Sequence, residues 1–202
     1  MTDSRIIGRV CVYCASSEAA DPVYLQAAHR LGEILAENSV TIVYGGGASG
    51  LMGRLAEGAL AKNGTIIGVI PRFMQELEWG HDRLTELHIV DDMHARKHRM
   101  LTDSDAVIAL PGGCGTLEEL LEAITLKRLG IYLNPIVLVN TGGFFDPLIE
   151  QLQRAVRERF MNAEHGLGRM WQVVESPEQV LDAIRSAEPW PANARTFAAV
   201  RP

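Results

Sequence analysis

Short apolar runs alternate along this chain with longer segments in which apolar residues recur at helical spacing. In the first long segment, residues 21–38, the side chains of Leu25, Ala28, Leu31 and Leu35 fall on one face, as in an amphipathic helix. The apolar runs predict strands at residues 9–15, 41–44, 65–70, 86–90, 106–110, 135–140 and 171–175. The periodic segments predict helices at residues 21–38, 51–62, 93–101, 117–129, 145–160 and 176–187. A polar stretch over residues 72–85 fits neither pattern.

This alternation predicts an α/β fold in which helices cover both faces of a mainly parallel sheet. Ligands of such sheets bind beyond the carboxyl ends of the strands. We expect one domain over residues 1–188, because a chain of 202 residues with 47% hydrophobic content can bury one substantial core. Residues 189–202 contain three prolines and no periodicity, so we expect a poorly ordered tail there.

The charge balance argues against a polyanionic partner. A formal net charge of -6 opposes binding to nucleic acid and to anionic membranes. No apolar stretch approaches the roughly 20 residues of a membrane helix, and the first residues lack the core of a signal peptide. Cys11, Cys14 and Cys114 cannot form a disulfide framework, which agrees with a reducing compartment. We therefore expect a cytoplasmic protein that binds a small molecule.

A first glycine loop follows the second predicted strand. Gly45, Gly47 and Gly50 fit the G-x-G-x-x-G pattern of dinucleotide sites. The third strand, about 20 residues further on, ends at Pro71 without the acid that usually holds an adenosine ribose. Two interpretations stay open: a loop that lines a nucleotide, or a tight turn that permits close packing of a helix.

A second glycine loop, from Pro111 to Glu119, joins an apolar strand to a helix. Its three glycines let a ligand approach the backbone, and the first N–H groups of the next helix point towards that ligand. A phosphate suits such a loop, so we expect a small phosphorylated molecule there. Thr116 and Glu119 also have capping-box spacing, an alternative that would explain these two residues but not the glycines.

The second loop resembles the P-G-G-x-G-T-x-x-E signature of the LOG or "Lonely guy" family, the cytokinin riboside 5'-monophosphate phosphoribohydrolases. Cys114 stands where the family often has tyrosine, at a variable position of the signature. Four further segments resemble the family in register: residues 14–17 (CASS), 43–47 (VYGGG), 50–53 (GLMG) and 93–97 (MHARK). The resemblance covers residues 9–175.

The resemblance implies a Rossmann-like, doubly wound fold, a homodimer, and no metal or redox cofactor. The implied reaction is hydrolysis of the N-glycosidic bond of cytokinin riboside 5'-monophosphates, and of AMP, to the free base and ribose 5-phosphate. Glu119 would be the carboxylate that stabilises the positive charge on the sugar or activates water. Arg96 would be the second catalytic residue, clamping an anion or assisting the departing purine. The substrate-binding residues carried over are Glu78, Arg96, Lys97, Gly112, Gly113, Cys114, Gly115, Thr116, Leu117, Glu118 and Thr125.

Other patterns do not predict a metal or a covalent nucleophile. Cys11 and Cys14 have the spacing of a zinc or redox pair, but in a strand they face opposite sides. His94 and His98 share a helix face, yet they lack the glutamate of a zinc-protease helix and stand beside two cations. Ser49 matches a hydrolase elbow only in part. We expect no metal site.

One alternative function stays open, a non-catalytic carrier of a nucleotide or of molybdenum cofactor with the same fold. Arg96 and Lys97 together with Glu119 favour the enzyme. A homodimer is expected from the residues as well, because the leucine-rich helix after the second loop has more apolar surface than one sheet face needs.

Overall fold

A computed structural model describes residues 5–77, 80–162, 167–191 and 193–194. Within these ranges, seven parallel strands form one sheet, which confirms the predicted α/β class. The strands are β1 (Arg9–Tyr13), β2 (Thr41–Tyr44), β3 (Ile66–Pro71), β4 (Glu86–Val90), β5 (Ala106–Ala109), β6 (Ile136–Val139) and β7 (Gln172–Val174). The helices are α1 (Pro22–Glu37), α2 (Gly50–Ala61), α3 (Arg72–Glu76), α4 (Met93–Leu101), α5 (Cys114–Arg128), α6 (Asp146–Arg157), α7 (Leu167–Met170) and α8 (Val180–Ser186). No helix in the described ranges has both the length and the apolar character needed to span a bilayer.

The strand order creates a crevice at the centre of the sheet. The order is β4-β3-β2-β1-β5-β6-β7, so the chain builds outward from β1 to β4 and then returns to place β5 on the other side of β1. Sheets of this kind bind ligands where the order reverses, beyond the carboxyl ends of the strands. Here the loops after β1 and β5 are joined: the Leu110 N–H donates to the Tyr13 carbonyl (2.9 Å), and the Ala15 N–H donates to the Pro111 carbonyl (3.3 Å).

Two apolar cores lie on opposite faces of the sheet. Val10 and Val12 of β1 belong to a core that includes buried residues of α1, α2 and α8. Cys11 and Tyr13 belong to the other core, which includes buried residues of α5 and α6. Successive side chains of β1 therefore alternate between the faces, and Cys11 is separated from Cys14 as predicted.

Several helix boundaries differ from the prediction. The stretch predicted to be irregular contains the short helix α3, and α7 was not predicted at all. Helix α5 begins at Cys114 rather than at residue 117, because Gly113 takes the N-cap position. Helix α6 ends at Arg157 rather than at residue 160, and Arg159 just beyond it has a φ of 63° that a right-handed helix cannot contain.

The chain continues to pack beyond residue 188, the end of the domain expected from sequence. Trp190 is buried, and its indole N–H donates to the Lys127 carbonyl at 2.7 Å. The Lys127 ammonium lies 5.6 Å from the centre of the same ring, within the range of a cation–π contact. Ala194 is buried as well. These contacts attach Trp190 to the end of α5, while residues 192 and 195–202 of the expected tail lie outside the described residues.

Candidate active site

Arg96 is a buried arginine at the centre of the candidate site, 6% exposed. Helix α4 begins at the N-cap Asp92 and carries Arg96 in its second turn, on the face turned towards the sheet. The guanidinium donates from Nε to the Val69 carbonyl (3.0 Å), from Nη2 to the Gly45 carbonyl (3.2 Å) and from Nη1 to Oε1 of Glu119 (3.1 Å). A buried charge is unfavourable unless it is paired and hydrogen-bonded, and these three acceptors provide that environment. Arg96 is therefore a buried and paired cation rather than a solvated charge on the surface of α4.

Glu119, the acidic partner of Arg96, lies inside helix α5 and is 5% exposed. Because the helix begins at Cys114 with Gly113 as its N-cap, Thr116 and Glu119 come after the helix start and cannot form the capping box considered from sequence. Thr116 instead packs against Gly112, where an added Cβ would lie 2.1 Å from the threonine Oγ1. The Glu119 carboxylate is thus available for Arg96 and for chemistry.

The environment of Glu119 favours proton exchange near neutral pH. Burial raises the pKa of the Glu119 carboxyl to about 7, against the opposing effect of the Arg96 guanidinium. A carboxyl with a pKa near the working pH is suited to general acid–base catalysis, because both protonation states are populated. Perturbed carboxyls of this kind cluster at functional sites.

The backbone next to this pair opens to empty space. A Cβ added at Gly113 or at Gly115 would meet no atom within 4 Å in the described part of the protein. In the same described part, no side chain caps the start of α5 at Gly113, and the first N–H groups of a helix lack intrahelical acceptors. An anion can approach this surface and accept from those N–H groups.

Lys97 connects α4 to α5 at the edge of the site. Its ammonium bonds Oε1 of Glu118 and lies 3.2 Å from Oε2 of Glu122. The hydrogen bond that Lys97 donates to Glu118 raises the pKa of Lys97 above its ordinary value, so the side chain stays charged. The site therefore carries two cations on α4 that face three carboxylates on α5.

Comparison with known proteins identifies the family of this chain. A family model described as "Possible lysine decarboxylase" matches residues 52–184. A probable cytokinin riboside 5'-monophosphate phosphoribohydrolase of Oryza sativa subsp. japonica is 43% identical over 157 residues, which cover 78% of this chain and 70% of the relative. A cytokinin riboside 5'-monophosphate phosphoribohydrolase of Arabidopsis thaliana is 43% identical over 154 residues, which cover 76% of this chain and 71% of the relative. The chain belongs to the LOG family.

Solved structures resemble the LOG-family fold found here. A molybdenum cofactor binding protein from Rippkaea orientalis superposes with a TM-score of 0.65 at 23% identity and covers 91% of this chain and 98% of its own. The molybdenum cofactor carrier protein of Chlamydomonas reinhardtii superposes with a TM-score of 0.67 at 20% identity and covers 90% of this chain and 98% of its own. At these identities the likeness concerns the fold and carries no ligand or activity to this chain.

The residues expected from the LOG signature do not all lie together. Arg96 and Glu119 are in direct contact, and Lys97 contacts Glu118. Gly112 and Gly113 lie just before α5, and Cys114, Gly115 and Thr116 form its first turn, which leads to Glu119.

Two expected residues stand apart from this group, and a third is not described by the structure. Leu117 is half-buried against the apolar core. Thr125 lies six residues beyond Glu119, about 9 Å of helical rise, and its Oγ1 donates to the Leu121 carbonyl at 2.8 Å. Glu78 lies outside the described residues.

Sequence reasoning missed three contributors to the site. The carbonyls of Gly45 and Val69 accept from Arg96, and no side-chain pattern announces a backbone acceptor. Glu122 contacts Lys97. It lies four residues after Glu118 on the same helix face, and this spacing could have predicted that the two carboxylates share a partner.

Metal chemistry receives no support from the described side chains. Among them, no group of three or more His, Cys, Asp or Glu residues is placed to hold a metal ion. Cys11 and Cys14 are buried, and burial raises the pKa of both thiols above the ordinary range, so neither is a ready thiolate ligand.

Proposed function

We propose that this chain hydrolyses the N-glycosidic bond of cytokinin riboside 5'-monophosphates, and of AMP, to release the free base and ribose 5-phosphate. The observation that carries the proposal is the buried contact between Arg96 and Glu119 beside an open glycine loop at the reversal of the strand order. The substrate class is the one that the names of the relatives give.

The glycine loop would bind the 5'-phosphate. Gly113 and Gly115 present bare backbone to the open space, and the uncapped start of α5 offers N–H groups and the positive end of the helix dipole. Lys97 adds a nearby positive charge that its carboxylate partners keep on the same side of the site. Phosphate binding of this kind can hold the sugar in position for the reaction.

Glu119 would act on the sugar. Breaking the bond between the ribose and the base develops positive charge on the sugar, and an ionised carboxylate nearby stabilises that charge. The same carboxylate accepts a proton from the attacking water, whose oxygen forms the new bond to the sugar carbon while the base leaves with the bonding electrons. Arg96 would hold the carboxylate in place. The remaining proposed contacts to the substrate are Glu78, Cys114, Leu117, Glu118 and Thr125, together with the loop glycines and Thr116.

The proposal extends to a homodimer in the cytoplasm. Leu121 and Leu129 of α5 are 39% and 42% exposed, and Ile131 and Leu133 just after the helix are 69% and 37% exposed. Apolar side chains gathered in this way mark an interaction surface, and a symmetric pair of chains is the commonest way to cover one. Light scattering at micromolar concentration should give twice the chain mass of 22.1 kDa, and a mass of one chain would contradict the dimer.

Incubation with nucleotides tests the enzyme against the carrier. The purified protein is mixed with AMP, N6-isopentenyladenosine monophosphate and the two corresponding nucleosides, and free base is measured by chromatography. We expect base release from the monophosphates and little from the nucleosides, because the loop acts through the phosphate. Tight nucleotide binding with no base released from any substrate would favour a non-catalytic carrier.

A further inference from the structure

The first glycine loop, residues 45–50, takes no part in the chemistry proposed above, yet the Arg96 side chain ends against it. The carbonyl of Gly45, directly after β2, accepts from Nη2 of Arg96 at 3.2 Å. A Cβ added at Gly45 would lie 2.1 Å from Nη2 and 3.3 Å from Cζ of the guanidinium. Since non-bonded heavy atoms do not approach to 2.1 Å, a side chain at position 45 would force the guanidinium to move.

The guanidinium position decides how Arg96 meets Glu119. Nε donates to the carbonyl of Val69 within β3, and Nη2 donates to the carbonyl of Gly45 just after the neighbouring strand β2. These two hydrogen bonds fix the plane of the rigid guanidinium. Nη1 is then directed at Oε1 of Glu119. We propose that Gly45 is a positioning residue for the hydrolysis: it leaves the space that the guanidinium occupies, and its carbonyl sets the orientation that brings Nη1 to Glu119. The catalytic part of this inference rests on the proposed function.

The other glycines of the loop have different neighbours. A Cβ added at Gly47 would lie 2.9 Å from Sδ of Met52, a flexible side chain that can shift. Gly50 has a φ of 59°, and a Cβ there would lie 2.5 Å from the Ser16 backbone. Gly47→Ala is therefore a matched control, since it adds the same methyl group to the same loop without touching Arg96.

Steady-state kinetics on AMP provide the first test. We expect Gly45→Ala to lower kcat by about 10²-fold, the effect of a displacement near 1 Å in a positioned group, and to leave KM nearly unchanged because the phosphate loop is untouched. Gly47→Ala should stay near the wild-type kcat. A wild-type kcat in Gly45→Ala, or equal losses in both variants, would overturn the inference.

The pH profile is a readout that general disturbance of the loop would not move. The titratable groups that interact with Glu119 are Arg96, Lys97, Glu118, Glu122, Cys11, Tyr13 and Cys14. Arg96 lowers the pKa of Glu119, and it is the neighbour that abuts Gly45. Displacing the guanidinium should therefore raise that pKa and move the acid limb of kcat to higher pH in Gly45→Ala, but not in Gly47→Ala. An unmoved acid limb in Gly45→Ala would count against a displaced Arg96.

A double-mutant cycle on stability tests the contact without any activity. Urea unfolding is measured for wild type, Gly45→Ala, Arg96→Ala and the double variant. We expect Gly45→Ala to destabilise the wild-type chain but not the Arg96→Ala chain, where the added methyl group finds the space vacated by the guanidinium. If Gly45→Ala alone does not fold, the double variant should. The same loss in both backgrounds, or a double variant that does not fold, would defeat the inference. A wild-type protein without turnover would defeat the proposed function, while this cycle would still decide the role of Gly45 towards Arg96.

Discussion

The two glycine loops at the carboxyl edge of the sheet use glycine in opposite ways. In the loop after β2, an added Cβ at Gly45 would strike Arg96 at 2.1 Å. In the loop after β5, an added Cβ at Gly113 or Gly115 would meet nothing within 4 Å in the described protein. Gly45 of the first loop leaves space that the Arg96 side chain fills, whereas Gly113 and Gly115 of the second loop border open space, where we propose that the substrate phosphate binds. We therefore propose that glycine serves packing at position 45 and binding at positions 113 and 115.

Glu119→Gln should produce the largest effect on turnover. The change keeps the size of the side chain but removes the charge opposite the developing sugar cation, so kcat should fall by about 10² or more with phosphate-ligand affinity retained. Because Glu119 lies inside α5, the substitution removes no helix cap. A near-normal kcat in a folded variant that still binds AMP would return the protein to the carrier interpretation.

Arg96→Ala should have a comparable effect, and Arg99→Ala on the same helix should be mild. The first change leaves Glu119 buried without its cation, whereas Arg99 is exposed. Comparing kcat on AMP for the two variants separates a specific role of Arg96 from the general positive charge of α4. Equal losses would show that the charge of the helix matters and the contact does not.

The pH dependence should follow Glu119. Because the pKa of Glu119 is near 7 and the ionised form is the active one, kcat should fall about tenfold for each unit of pH below that value.

The stability of the fold should depend on pH in the opposite sense. The folded state holds the Glu119 proton more tightly than the unfolded chain, so stability is lost as the pH rises from about 4.5 to 7. Glu119→Gln should remove this part of the stability profile in urea titrations at several pH values. Identical profiles for the two proteins would contradict the raised pKa.

Glu122→Gln should give the smallest effect. It removes one of the two carboxylates that contact Lys97, at 3.2 Å, while Glu118 remains. Partly exposed ion pairs contribute up to about 1 kcal/mol, so KM for AMP should change by less than about fivefold and kcat hardly at all. A loss of kcat as large as that of Glu119→Gln would mean that Glu122 belongs to the reacting group.

The sequence alone was sufficient to predict the parallel sheet and to identify the family from the second glycine loop. Strand β2 has its predicted bounds, since a parallel strand covered on both faces reads as a continuous apolar or β-branched run. Strand β4 also has its predicted bounds, although it lies at the edge of the sheet and is partly exposed. The signature around Gly113 and Glu119 identified the family because its residues are close in sequence.

What the sequence could not supply depends on long-range contacts. Arg96 meets Gly45 across 51 positions and Val69 across 27, and both acceptors are carbonyl groups that every residue has. The start of α5 was placed too late because Gly113, without a capping side chain, looks like loop, and Thr116 looked like the cap. The raised pKa of Glu119 likewise comes from burial, which spacing alone does not reveal.

The different roles of the two glycine loops are tested most directly by the binding of ribose 5-phosphate to two variants, each of which adds one methyl group to one of the loops. Isothermal titration calorimetry would compare wild type with Gly113→Ala, where the methyl group enters the open space, and with Gly45→Ala, where it meets Arg96. We expect Gly113→Ala to keep its stability within about 0.5 kcal/mol and to bind ribose 5-phosphate at least about tenfold more weakly. Gly45→Ala should lose stability and bind like wild type. Unchanged affinity in Gly113→Ala, or a loss of affinity confined to Gly45→Ala, would contradict the account.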